Sequence, residues 1–117
     1  MKPIYRSDGV VAALVHHGHL YNADGDWIGF LQGPEVYDVT GNYLGYLSSD
    51  QRLLRKRSAP HRERISPPST KMPRLQGVPA HLPLPPLFSQ LGYGTIDIFE
   101  EYPDKFGFVS DLKPDME

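Results

Sequence analysis

Apolar and polar positions along the chain follow a unit that returns every 16 residues. Ile4-Tyr5, Leu20-Tyr21 and Val36-Tyr37 each open an apolar-aromatic run. A polar turn closes each run: Arg6-Ser7-Asp8-Gly9, Asn22-Ala23-Asp24-Gly25 and Asp38-Val39-Thr40-Gly41. A second apolar run follows, Val10 to Val15, Trp27 to Leu31 and Tyr43 to Leu47. Asn and Asp fold onto their own backbone and glycine takes the positive-φ position, so each unit reads as a β-hairpin. Repetition at a fixed period points to a small symmetric architecture.

The small residues Ala13, Gly29 and Gly45 recur inside the second strands. Glycine weakens a strand there, so these positions imply a bend or a close backbone approach. A fourth unit should begin near Arg52. Leu53 falls on the tyrosine position, but Arg57 replaces the turn glycine and Arg55-Lys56-Arg57 stands where an Asp/Asn-Gly turn is expected. Four hairpins closed into a ring would leave no exposed edge. Roughly 60 residues make a marginal core on their own, which favours closure, oligomerisation or docking of the remaining chain.

The composition changes after the repeats. Three regions are expected: a repeat barrel over 1–57, a Pro-rich basic linker over 58–86 and an acidic amphipathic segment over 87–117. Residues 1–50 carry 2 basic and 6 acidic groups, residues 51–74 carry 8 basic and 1 acidic, and residues 75–117 carry 2 basic and 7 acidic. The middle and the end can therefore attract each other. Thr95-Ile96-Asp97-Ile98-Phe99 alternates like a strand, while Ile96, Phe99 and Glu100 also fit a helical turn. The absence of cysteine excludes disulfides and fits a reducing cytoplasm. No secretory signal is visible, and the run Val10 to Val15 is far short of the roughly 20 residues a transmembrane helix needs.

The pattern apolar-Tyr-[Asn/Asp/Arg]-x-x-Gly-x-x-x-[Ala/Gly]-x-Leu over residues 3–57, with the Pro-rich stretch and a short apolar C-terminal piece, resembles the 4-fold β-flower family of small, mostly bacterial proteins. The resemblance implies an all-β fold, a shallow pseudo-four-fold barrel of short hairpins. It implies no activity. The shape is similar to tubby-like and LURP-type barrels, which contact phosphoinositides or membranes.

Candidate chemistry is sparse. Tyr5, Tyr21, Tyr37, Trp27, Tyr43, Gly29 and Gly45 are the candidate ligand-binding residues, as a ring of aromatics at an open barrel face; packing of the hairpin core is the alternative. Arg52, Arg55, Lys56 and Arg57 are the candidate anion-binding residues, for anionic lipid or for the chain's own acidic end. Nucleic acid is disfavoured because stacking aromatics are missing from that cluster. His16, His17 and His19, and Asn22-x-Asp24-Gly25-Asp26, read as turns rather than metal sites. No cofactor is implied. No phosphate loop, Gly-x-Ser-x-Gly or cysteine nucleophile supports catalysis. The expected function is therefore a non-enzymatic module binding an anionic lipid, a small apolar ligand or a peptide. One alternative is an assembly component whose tail docks on its own or a neighbouring barrel, as a homo-oligomer or within one chain. A small hydrolase or toxin is the other.

Overall fold

Three in-register hairpins dictate most of the architecture. The computed structural model describes residues 1–58, 62–69, 71–76 and 82–102. Among the described residues, eight antiparallel strands follow one another in a single curled sheet of order β1-β2-β3-β4-β5-β6-β7-β8. They are β1 (Lys2–Tyr5), β2 (Val11–His16), β3 (His19–Asn22), β4 (Trp27–Gln32), β5 (Glu35–Asp38), β6 (Tyr43–Leu47), β7 (Leu53–Lys56) and β8 (Thr95–Asp97). One helical turn, α1 (Ile98–Glu101), follows β8. The all-β barrel-like fold expected from the repeats is the fold observed.

Each of the first three petals is a hairpin with the same defect at the same place. Ile4 faces Ala13 but Tyr5 faces Val11. Leu20 faces Gly29 but Tyr21 faces Trp27. Val36 faces Gly45 but Tyr37 faces Tyr43. The skipped residues Ala12, Ile28 and Leu44 form bulges, which sharpen the local twist and bend the sheet round on itself. A Cβ on Gly29 would run into the Tyr37 carbonyl, and one on Gly45 into the Leu54 carbonyl. The small residues are thus where one petal's outer strand presses against the inner strand of the next.

The core sits where these inner strands converge. Ile4, Leu20, Val36 and Leu53 are each 0% exposed. Ala13, Ile28, Leu44, Ile96, Ile98 and Phe99 complete the same cluster. Burying a side chain of this size contributes about 1.5–3 kcal/mol, so these four equivalent positions anchor the fold.

The fourth petal departs from the sequence reading in register. Tyr46 pairs with Leu54 and Leu47 with Leu53, where Phe30 pairs with Tyr37 and Leu31 with Val36. Leu54, not Leu53, therefore takes the tyrosine place, and Leu53 takes the place of the buried aliphatic. The physical reason is one extra residue in the preceding turn. Ser48 to Arg52 form a five-residue turn in which Ser48 N–H donates to Arg52 O, and Gln51 adopts a φ of 63°. The same bond closes the petal turns, from Asn22 N–H to Asp26 O and from Asp38 N–H to Asn42 O.

The fourth hairpin does form, but its outer strand comes from far along the chain. β7 pairs with β8 through Leu54↔Asp97, Arg55↔Ile96 and Lys56↔Thr95. The segment that fits both a strand and a helical turn is both in succession. Asp97 is the hinge between them, because its carboxylate accepts from Phe99 N–H at 3.1 Å and Glu100 N–H at 3.4 Å and so caps α1.

Candidate functional site at the seam and the rim

The two ends of the sheet, β1 and β8, meet through side chains. Asp97, 3% exposed, accepts from the Ser7 backbone N–H at 2.8 Å and the Ser7 hydroxyl at 2.7 Å. Ser7 Oγ in turn accepts from Arg52 Nη1 at 3.0 Å. The Arg52 guanidinium, 2% exposed, also donates to Asp50 from Nε at 3.2 Å and Nη2 at 2.7 Å, and to the Ser89 carbonyl at 2.9 Å. Its plane lies over the Phe88 ring, 4.7 Å from the centroid. Gln51 Nε2 donates to the Pro3 carbonyl at 2.8 Å, covering the free edge of β1. A planar five-donor fork suits this role because it can hold a carboxylate, a hydroxyl and a carbonyl at once. Burial pushes the Asp50 carboxyl up, but the hydrogen bonds from Arg52 and Ser48 outweigh it and hold the group below the usual range. Beside this network lies a cleft of about 330 Å³ lined by Ser7, Arg52, Phe88, Ser89, Leu91 and Glu100.

The second candidate surface is the outer rim, where the petal turns point. The described parts of the Pro-rich segment lie along it as a belt and meet the turn glycines in reverse order. Ile65 N–H donates to Gly41 O at 3.0 Å, and Leu75 N–H donates to Gly25 O at 2.8 Å. Pro85 packs at the third turn, where its Cγ lies 3.5 Å from the place a Cβ on Gly9 would occupy. Ile65, Leu75 and Pro85 stand ten residues apart. Proline has no N–H to give, and the first petal is held instead by the Tyr5 hydroxyl, which donates to the Pro83 carbonyl at 2.5 Å.

Arginine accompanies both backbone bonds. Arg64 donates to the Thr40 carbonyl at 2.9 Å, and Arg74 pairs with Asp26 at 3.3 Å. Arg62 pairs with Glu35 at 2.5 Å and lies over the Tyr43 ring, 4.1 Å from its centroid. The basic belt thus meets the acidic petals, where the charge blocks of the sequence pointed to the acidic end: Arg62 and Arg74 pair with Glu35 and Asp26. A second cleft, about 470 Å³, lies between Trp27 and belt residues Lys71 to Arg74.

The candidate ligand residues are distributed over these surfaces rather than gathered at one open face. Tyr5, Tyr21 and Tyr37 are at most 5% exposed. Tyr37 stacks on Phe30 at 5.6 Å and meets Tyr43 edge-on at 5.7 Å. Burial raises the Tyr21 phenol above its ordinary range, and burial, with the Arg62 charge opposing it, does the same for Tyr43. Tyr43 and Trp27 face the belt, and the His19 ring meets Trp27 edge-on at 6.0 Å. His16 and His17 stack on each other at 3.9 Å, so the three imidazoles do not converge.

The basic cluster is likewise split. Arg52 lies inside the seam, while Arg55 and Lys56 sit on β7 opposite Ile96 and Thr95. Arg57 donates from its backbone to Gly94 O at 2.7 Å and from Nε to Tyr93 O at 2.6 Å. Asp104, Phe106, Phe108 and Val109, read from the sequence as part of a docking tail, lie outside the described residues. Sequence reasoning missed Ser7, Asp97 and the belt residues Ile65 and Leu75. The ten-residue spacing of Arg64-Ile65 and Arg74-Leu75 was the available signal.

Among the described residues no helix is long and apolar enough to cross a membrane. No curated protein and no solved structure matches the chain. A family model matches residues 2–99, the span from β1 into α1.

Proposed function

Since that model is the 4-fold beta flower protein, the chain belongs to the 4-fold beta flower family, and on this premise we propose that it is a non-enzymatic interaction module whose ligand is an extended polypeptide. In this chain the ligand is its own C-terminal tail, and the same surface serves a neighbouring copy in assembly. The observation that carries this reading is the β7–β8 ladder, in which a strand from beyond a long Pro-rich arm completes the last petal. Strand addition to an open sheet edge is a general mode of peptide recognition: main-chain bonds supply affinity, and pockets for alternate side chains supply selectivity. Here Ile96 and Asp97 fill those pockets, both at most 7% exposed.

A peptide fits better than an anionic lipid at this surface. Beside it Arg52 is buried and already paired with Asp50, so a lipid headgroup must open the seam to reach that charge. The cysteine-free composition suits work in the cytoplasm.

The test is light scattering with circular dichroism on the full chain and on a chain ending at Arg57. The reading expects the shortened chain to aggregate or unfold, and to recover structure when the missing segment is added as a peptide. A shortened chain that stays a folded monomer, indifferent to the peptide, removes it.

A further inference from the structure

We infer that the rim of the petals reads a linear code, an Arg-aliphatic pair repeated at ten-residue spacing, and that the partner supplying this code in trans is the belt of a second copy of this chain. The inference deepens the reading above and rests on it only for the class of ligand. It concerns a different surface from the β7–β8 ladder.

The code is visible in two equivalent contacts. At the third petal, Ile65 N–H reaches Gly41 O while the preceding Arg64 reaches Thr40 O. At the second, Leu75 N–H reaches Gly25 O while the preceding Arg74 reaches Asp26. Backbone fixes the register in both, and arginine supplies the charge that the acidic turns attract. Glycine is required at the turn for two reasons. Its φ is 93° at Gly25 and 94° at Gly41, and a Cβ would strike the Ile65 carbonyl at Gly41 and crowd the Leu75 carbonyl, 3.0 Å away, at Gly25. Gly18 and Gly33 also have positive φ, 79° and 64°, yet nothing lies within 4 Å of a Cβ at either. The belt has therefore selected the two turns of the described surface at which it docks by backbone.

What holds the belt is exchangeable. The Arg74–Asp26 side chains are 61% and 57% exposed, and Arg62–Glu35 are 39% and 34% exposed. Such pairs contribute about 0–1 kcal/mol each. An identical belt from another copy makes identical contacts, so exchange between copies costs little beyond association entropy. Charge complementarity points the same way, because residues 51–74 carry 8 basic groups and residues 1–50 carry 6 acidic ones.

The experiment mixes two full-length variants. Arg64→Ala with Arg74→Ala leaves a rim without a strong belt of its own. Gly25→Ala with Gly41→Ala leaves a belt without a rim. Light scattering is expected to show each alone as a monomer and the mixture as a one-to-one dimer. Replacing the second partner with Gly18→Ala with Gly33→Ala, which carries the same backbone strain but keeps its rim, should abolish the dimer. A mixture that remains monomeric, or a dimer that forms equally with the control partner, overturns the inference.

Should the Gly25→Ala, Gly41→Ala chain fail to fold, a labelled peptide of residues 62–76 replaces it. That peptide is expected to bind the arginine-deficient chain about tenfold more tightly than the wild type, whose own belt competes at high effective concentration. Equal binding of a peptide lacking both arginines also overturns the inference. Both full-length variants retain β7 and β8, so failure here leaves the strand-addition reading to its own truncation test.

Discussion

The Ser7 hydroxyl and backbone N–H both donate to one oxygen of Asp97, a residue 90 positions away, and this pair joins the first petal to the last. The other Asp97 oxygen caps α1. Asp97→Ala leaves four donors without their acceptor at once, one buried and three partly buried, and is expected to cost about 3 kcal/mol. Ser7→Ala, which keeps the backbone bond, should cost about 1 kcal/mol. Denaturant unfolding of both variants and their double mutant checks this, and the two effects should fall short of additivity because they share one partner.

Register in the fourth petal is open to a direct test. Leu53 is 0% exposed, at the position of Val36, so Leu53→Tyr overpacks the core and is expected to cost about 2 kcal/mol. Leu54 stands where the other petals carry tyrosine, so Leu54→Tyr should be tolerated within about 1 kcal/mol. A reversed order in thermal unfolding would restore the register of the uninterrupted repeat.

The first three petals were legible because each is local. Asn22 and Asp38 accept from backbone N–H groups two and four residues ahead, so the turn is written in adjacent letters. The fourth was not legible, because the partner of Arg55 is Ile96 and no glycine turn joins them. Arg52 read as one of a basic run. Its burial depends on Asp50, Ser7 and Ser89 arriving from three parts of the chain. The belt hid for another reason: it docks through main-chain N–H groups, and its one side-chain signature, an Arg-aliphatic pair, occurs only twice.

Acid should loosen the seam. The Asp50 carboxyl is held below its ordinary value of 3.8 by Arg52 and Ser48 against the opposing effect of burial. A folded pKa lowered in this way contributes stability that is fully present above about pH 4 and lost as pH falls through the folded value. Asp50→Asn is therefore expected to destabilise the chain at pH 7 and to flatten the acid limb of its stability curve. Urea titrations between pH 2 and 7 read both effects.

Salt should act on the belt before the barrel. The Arg62–Glu35 and Arg74–Asp26 pairs are partly exposed and screened once the Debye length falls to about 3 Å near 1 M salt. Hydrogen exchange at the Ile65 and Leu75 amides is expected to quicken severalfold from 0.05 to 1 M NaCl. The Tyr21 and Tyr37 amides within the sheet should keep their protection.

The late arrival of β8 sets a timetable for the chain at birth. β1 to β7 leave the ribosome first and can begin to pair as neighbours, but the strand that covers β7 and completes the fold is made some 40 residues later. At about 5–20 residues per second, the nascent flower waits roughly 2–8 seconds with one flank uncovered. For that interval the charged residues Arg55 and Lys56, one on each side of the waiting strand, are its guard against pairing with the wrong neighbour.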